Sequence, residues 1–201
     1  MRIVEWIPPL FRDRAAAGRE LADTVGPADV VLGVARGGVA VAAEVARALA
    51  VPLTAVDVER VNARGRRLGA TTATGPPYLL VPEGEEIEHV LDRARVEAER
   101  LEARLEHETL PVEGRLTLVV DDGAITGLTL AAACRWARAE EAARVIAAVP
   151  VAHVGALARL EQEADAIVCP HPLEKIAVVG QAYDSFDPLD EWYVAGLLAE
   201  H

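Results

Sequence analysis

The chain has 201 residues, of which 52% are hydrophobic and 4% aromatic, and a formal net charge of −12. That length suits one domain with a core of Val, Leu, Ile and Ala, and so acidic a chain lacks the basic face needed for sequence-independent nucleic-acid binding. No apolar run reaches membrane-spanning length and no signal peptide follows Met1, so a cytoplasmic protein without membrane contact is expected.

Phe11, Ala15, Gly18, Leu21, Ala22 and Val25 recur at helical spacing and predict a first helix. The apolar run over 29–34 predicts a buried strand, and Ala35-Arg36-Gly37-Gly38 follows it. Val39, Ala42, Ala43, Ala46 and Leu49 then predict a helix over 39–49. Gly37 and Gly38 let the backbone approach an anion, and Arg36 brings a permanent charge suited to phosphate oxygens. Taken alone, Arg36-Gly37-Gly38 is more often an ordinary turn than an anion site.

A strand near 53–58 continues the alternation, which residues 60–84 interrupt. That stretch holds Arg60, Arg64, Arg66 and Arg67, then Thr71-Thr72-Ala73-Thr74-Gly75-Pro76-Pro77, and reads as a turn-rich loop. Residues 85–108 predict a long helix with Ile87, Val90, Leu91, Ala94, Ala98, Leu101 and Leu105 on one stripe and pairs such as Glu97–Arg100 on the outer faces. The stripe reads as core-facing, with a homodimer surface as the alternative.

Leu116-Thr117-Leu118-Val119-Val120 predicts a buried parallel strand that delivers Asp121 and Asp122 to its carboxyl end. Gly123, Thr126 and Gly127 follow in a short loop, then an Ala-rich helix over 125–139. Free amides at a helix start, the Thr126 and Thr129 hydroxyls and a close-approach Gly127 make a phosphate cradle. Two carboxylates beside a phosphate would repel it unless they hold ribose hydroxyls or a magnesium ion bound to them. The implied ligand is a sugar phosphate. Strands near 144–149 and 166–169, with a helix over 151–163 between them, complete an α/β pattern. It predicts a doubly wound parallel sheet of about five strands flanked by helices, with ligands at the strands' carboxyl ends.

The string from Leu118 to Thr129 resembles the phosphoribosyl-diphosphate signature of the type I phosphoribosyltransferases, and Arg36-Gly37-Gly38 is similar to their pyrophosphate loop. Phe11-Arg12-Asp13-Arg14 and Val179-Gly180-Gln181-Ala182-Tyr183-Asp184-Ser185-Phe186 resemble the two ends of a bacterial group within that family. The resemblance implies that Asp121 and Asp122 take the ribose, touching Mg2+ only through it or through water. It also implies that Ala124, Ile125, Thr126, Gly127, Leu128 and Thr129 take the 5-phosphate beside Gly123. Arg36, Gly37 and Gly38 would meet pyrophosphate. Residues 60–84 would form a flexible loop over the site, with Arg64, Arg66 and Arg67 near the departing pyrophosphate. Residues 170–201 would form a hood, where Tyr183, Phe186 and Trp192 either stack on a base or make an aromatic mini-core.

Two departures bear on function. The group's basic Arg-Lys pair is replaced by Glu59-Arg60, and Ile125 stands where enzymes of 6-oxopurines carry an acid. The expected activity is transfer of the 5-phosphoribosyl group from phosphoribosyl diphosphate to a nitrogenous base. A non-catalytic regulatory protein that binds phosphoribosyl diphosphate or a nucleotide is the alternative. The five histidines lack metal-ligand spacing, His171 reads as a loop residue after the last strand, and Cys169 reads as a small core residue.

Overall fold

The computed structural model describes residues 8–82, 84–105 and 109–201. Helix α1 (Arg14–Ala22) is capped by Asp13, whose carboxylate accepts from the Ala16 amide at 2.8 Å. Strand β1 (Val30–Ala35), helix α2 (Gly37–Leu49) and strand β2 (Leu53–Asp57) follow. The next elements are β3 (Glu59–Ala63), β4 (Arg66–Thr71), β5 (Tyr78–Leu79) and α3 (Glu85–Leu105). Then come β6 (Leu116–Val120), α4 (Leu128–Ala139), β7 (Arg144–Ala148), β8 (Val151–His153) and α5 (Val154–Leu160). Strands β9 (Ala166–Val168) and β10 (His171–Leu173), a 3-10 turn over Val179–Ala182 and α6 (Glu191–Ala199) end the chain.

Five strands form a parallel sheet in the order β2-β1-β6-β7-β9. Its two faces are separated by the period-two alternation of each strand. Val30, Leu32 and Val34 of β1 pack with α4 and α5, through Leu130, Ala133 and Leu160. Val31 lies on the opposite face, with Leu21 of α1, Val41 and Val45 of α2, Leu105 of α3 and Val194 of α6. The sheet is therefore wound on both faces, as predicted. Gly18 lets α1 lie against α2, since a Cβ there would stand 2.6 Å from the Val41 carbonyl oxygen.

The 60–84 segment differs from the turn-rich loop expected of it. It folds into an antiparallel three-stranded sheet, β3-β4-β5. Arg64 and Gly65, at φ 50° and 72°, supply the left-handed backbone of its hairpin turn. Val61 packs against Leu91 and Ala94 of α3, with Leu68 and Leu79 beside it. The arginines obscured this pattern because they crowd the exposed positions around the turn, Arg66 and Arg67 consecutively, and leave few apolar residues to mark an inward face. The α3 stripe is core-facing within the chain: Leu91, Ala94, Ala98 and Leu105 are buried, and the Glu97–Arg100 pair closes at 2.6 Å on the outer face. The end of that predicted helix, 106–108, lies outside the described residues.

Two helix boundaries also move. α4 begins at Leu128 rather than 125, because Gly127 at φ 73° breaks the helical backbone. The predicted helix over 151–163 opens instead with β8, which pairs in parallel with β10, and only 154–160 are helical.

Candidate functional site

β1 and β6 are neighbours in the sheet, but their following helices, α2 and α4, pack on opposite faces. Strand order reverses there, and the two loops diverge to leave a crevice. A cavity of about 690 Å³ opens at that point. Of the residues expected to bind ligand, Arg36, Gly37, Asp121, Asp122, Gly123, Ala124, Ile125, Thr126, Gly127, Thr129 and Phe186 line it.

Gly38, Leu128 and Tyr183 are placed differently. Gly38 lies beneath the acid loop, where a Cβ would meet the Val120 carbonyl oxygen at 2.7 Å and the Asp121 Cα at 2.9 Å. Its smallness serves contact between the two loops. The Leu128 side chain is buried in the main core, leaving only its backbone to face the loop. Tyr183 is buried against Phe11 and Phe186, and its hydroxyl donates to the Asp122 carbonyl at 2.6 Å. The mini-core reading holds for Tyr183, and stacking on a base does not. Trp192, 85% exposed on α6, stands apart from that cluster. Ala124 is also committed: its amide donates to the Val151 carbonyl at 3.0 Å, so it is not free for a phosphate.

The remaining loop retains anion-binding chemistry. The first amides of α4 have no intrahelical acceptor and start beside Thr126 and Thr129. Arg67 of β4 donates to the Thr126 hydroxyl at 3.3 Å, and Arg159 of α5 donates to the Thr126 carbonyl. Arg60 joins Arg67 in the cavity wall, whereas Arg64 and Arg66 do not line it. Glu59 also lines the cavity, so the exchange of Arg-Lys for Glu-Arg changes the local charge. Arg36, half-exposed at the start of α2, lies 3.5 Å from Glu191 of α6.

Asp121 and Asp122 form the anionic centre. The Asp122 amide donates to the Asp121 carboxylate at 2.8 Å, and Arg14 Nε donates to Asp122 Oδ2 at 2.8 Å. Burial holds the Asp121 carboxyl well above the usual aspartate range, and the adjacent Asp122 charge adds to this. Burial also raises Asp122, but the Arg14 guanidinium opposes the rise. Asp122 is thus the acid better placed to stay ionised. Among the described residues, no group of three or more His, Cys, Asp or Glu side chains converges as a metal cage.

Sequence reasoning missed Arg14, although it falls in the Phe11–Arg14 segment that carried part of the resemblance. It also missed the apolar hood wall of Val178, Val179, Pro188 and Leu189. His171 lies outside the cavity, on β10, against Glu20 and the edge of the Phe11 ring. Burial raises the Cys134 thiol to about 12 and the Cys169 thiol to about 11, so neither supplies a thiolate nucleophile near neutrality.

Asp57 ends β2 opposite Ala35 and is 4% exposed. Neither carboxylate oxygen has a hydrogen-bond partner among the described residues. Burial, reinforced by Glu102 and Glu59, pushes its carboxyl up to about 7. The folded chain therefore keeps this proton up to about pH 7, whereas the unfolded chain releases it near pH 4. Folding binds more protons between those values, so stability falls as pH rises through them. Asp57→Asn should remove that component, leaving a variant more stable than wild type at pH 8 by roughly 2–4 kcal/mol, with the gap closing near pH 4. Denaturant unfolding at both pH values measures it. Equal gaps at the two would contradict the assignment.

A five-stranded parallel sheet flanked by helices, with an acid pair and a glycine-containing loop at its switch point, defines a doubly wound α/β domain. The chain belongs to the phosphoribosyl transferase domain family, whose match spans residues 10–184. It is 37% identical over 205 residues to two Mycobacterium tuberculosis proteins, from strains CDC 1551 / Oshkosh and H37Rv, each named "Putative phosphoribosyl transferase". Those alignments cover 94% of this chain and 46% of each relative, so the chain spans about half the length of the curated relatives it matches. The crystal structure of TT1426 from Thermus thermophilus is similar at 34% identity and a TM-score of 0.80, covering 94% of this chain and 98% of that one. No helix among the described residues is long and apolar enough to cross a membrane.

Proposed function

We propose that this domain transfers the 5-phosphoribosyl group of phosphoribosyl diphosphate to a nitrogenous base and releases pyrophosphate. The observation that carries the reading is the convergence of two anion loops and the Asp121–Asp122 pair on one cavity at the sheet's switch point. The bond from the anomeric carbon to pyrophosphate oxygen breaks, and a bond from that carbon to a base nitrogen forms. Thr126, Thr129 and the first α4 amides hold the 5-phosphate. Asp121 and Asp122 accept from the ribose hydroxyls, and the Gly37 loop with Arg36, Arg60 and Arg67 neutralises pyrophosphate. Positioning and charge stabilisation suffice, so no covalent enzyme intermediate is invoked. Magnesium carried by the diphosphate would be reached by Asp121 and Asp122 through ribose or water, and would supply charge neutralisation on the leaving group.

The acceptor would lie under the hood, between Ile125, Val178, Val179, Phe186 and Leu189. Ile125 exchanges no proton, which disfavours a 6-oxopurine acceptor. The regulatory alternative, binding without turnover, draws support from Glu59, a carboxylate at the end of the cavity where pyrophosphate would sit. Calorimetric titration with phosphoribosyl diphosphate, with and without magnesium, tests the common premise. Magnesium-dependent binding at micromolar affinity is expected, and no binding under either condition would refute both readings. Pyrophosphate release across a base panel then separates transferase from sensor.

A further inference from the structure

Arg14 occupies the first turn of α1, the end of a helix dipole that disfavours a cation. Its reason for being there lies outside the helix. The side chain is only 11% exposed and makes three contacts of different kinds. Nε donates to Asp122 Oδ2 at 2.8 Å, Nη1 donates to the Asp187 carbonyl at 3.0 Å, and the guanidinium lies 3.8 Å over the Phe186 ring. A planar fork meets all three at once, which an ammonium cannot. On its other side, Gly37 leaves the space that the Asp122 carboxylate and Arg14 occupy: a Cβ there would lie 2.0 Å from Asp122 Oδ2 and 3.2 Å from Arg14 Nε.

We propose that Arg14 is a positioning residue: it fixes the Asp122 carboxylate for the ribose hydroxyls and ties that carboxylate to the hood segment at Phe186 and Asp187. The inference rests on the sugar-phosphate reading above. The guanidinium holds Oδ2 and Tyr183 holds the backbone carbonyl, so Oδ1 is the Asp122 oxygen left to accept from the ligand. The link also runs outward, because a shift of Phe186 or Asp187 changes two of the three contacts that orient Arg14. The chain thus reads sugar hydroxyls through a group that also senses the hood.

The test compares ribose 5-phosphate with 2-deoxyribose 5-phosphate as calorimetric ligands of wild type, Arg14→Gln and Arg14→Lys. With the 2-hydroxyl donating to Asp122, one hydrogen bond to a charged acceptor separates the two sugars, and wild type should prefer ribose by about ten-fold or more. Arg14→Gln should bring that preference within about two-fold, with ribose 5-phosphate losing most of the affinity, and Arg14→Lys should recover part of it. A merely structural role would weaken both sugars alike, and that result, or a full preference retained in Arg14→Gln, would overturn the inference. If Arg14→Gln does not fold, Arg14→Lys is read instead: a preference below that of wild type supports the inference, and a full preference or an equal loss for both sugars overturns it. Wild type binding neither sugar would instead refute the sugar-phosphate reading itself.

Discussion

Replacing both acids, Asp121→Asn with Asp122→Asn, should lower affinity for phosphoribosyl diphosphate by about 100-fold or more, because two charge-assisted hydrogen bonds to sugar hydroxyls are lost together. Stability should not fall with it. Both carboxyls are held above their ordinary range by burial, so ionised acids cost the fold more here than neutral amides of the same shape. An asparagine at 122 still offers an oxygen to Arg14, and the backbone contact from Tyr183 is untouched. Calorimetry and thermal melting together decide the matter. Unchanged affinity in a folded double variant would remove the acid pair from the site.

Gly37→Ala should have the next largest effect, acting without removing any polar group. The new Cβ would lie 2.0 Å from Asp122 Oδ2 and 2.8 Å from its Cγ, far inside contact distance. Either the acid swings away or α2 shifts from β6, and both break the Arg14–Asp122 geometry. Displacement of about 1 Å in a binding constellation can cost about 100-fold in function. Gly26→Ala is the matched control, since nothing lies within 4 Å of the corresponding Cβ. The expected result is an affinity loss confined to Gly37→Ala. A Gly37→Ala protein with wild-type affinity would mean that Asp122 has freedom the geometry does not suggest.

The parallel sheet was legible because Val30–Val34 and Leu118–Val120 are apolar runs buried on both faces, a pattern few other settings explain. The acid pair and Thr126–Thr129 were legible because local chain order alone brings them together. Three things were not. The β3–β5 sheet was hidden because Arg60, Arg64, Arg66 and Arg67 crowd a segment whose inward signal rests on few residues, chiefly Val61 and Leu68. Ala124's amide looked free, since its acceptor, Val151, belongs to an element 27 positions later. Arg14 reaches Asp122 across 108 residues, a contact that no local spacing announces.

The Phe11 backbone pairs with the chain's other end: its amide donates to the Ala182 carbonyl at 3.0 Å, and its carbonyl accepts from the Asp184 amide at 2.9 Å. Consider the order in which the domain emerges from a ribosome. Both loops and the central strands have their partners once α5 is out, but the wall formed by Phe11, Tyr183 and Phe186 needs two segments some 170 residues apart. Closing so long a loop brings its reward only after the intervening sheet has formed. A nascent chain should therefore order the Asp121–Thr129 loop well before the Phe11–Tyr183–Phe186 wall, and kinetic labelling should find the Phe11 and Asp184 amides among the last to gain protection.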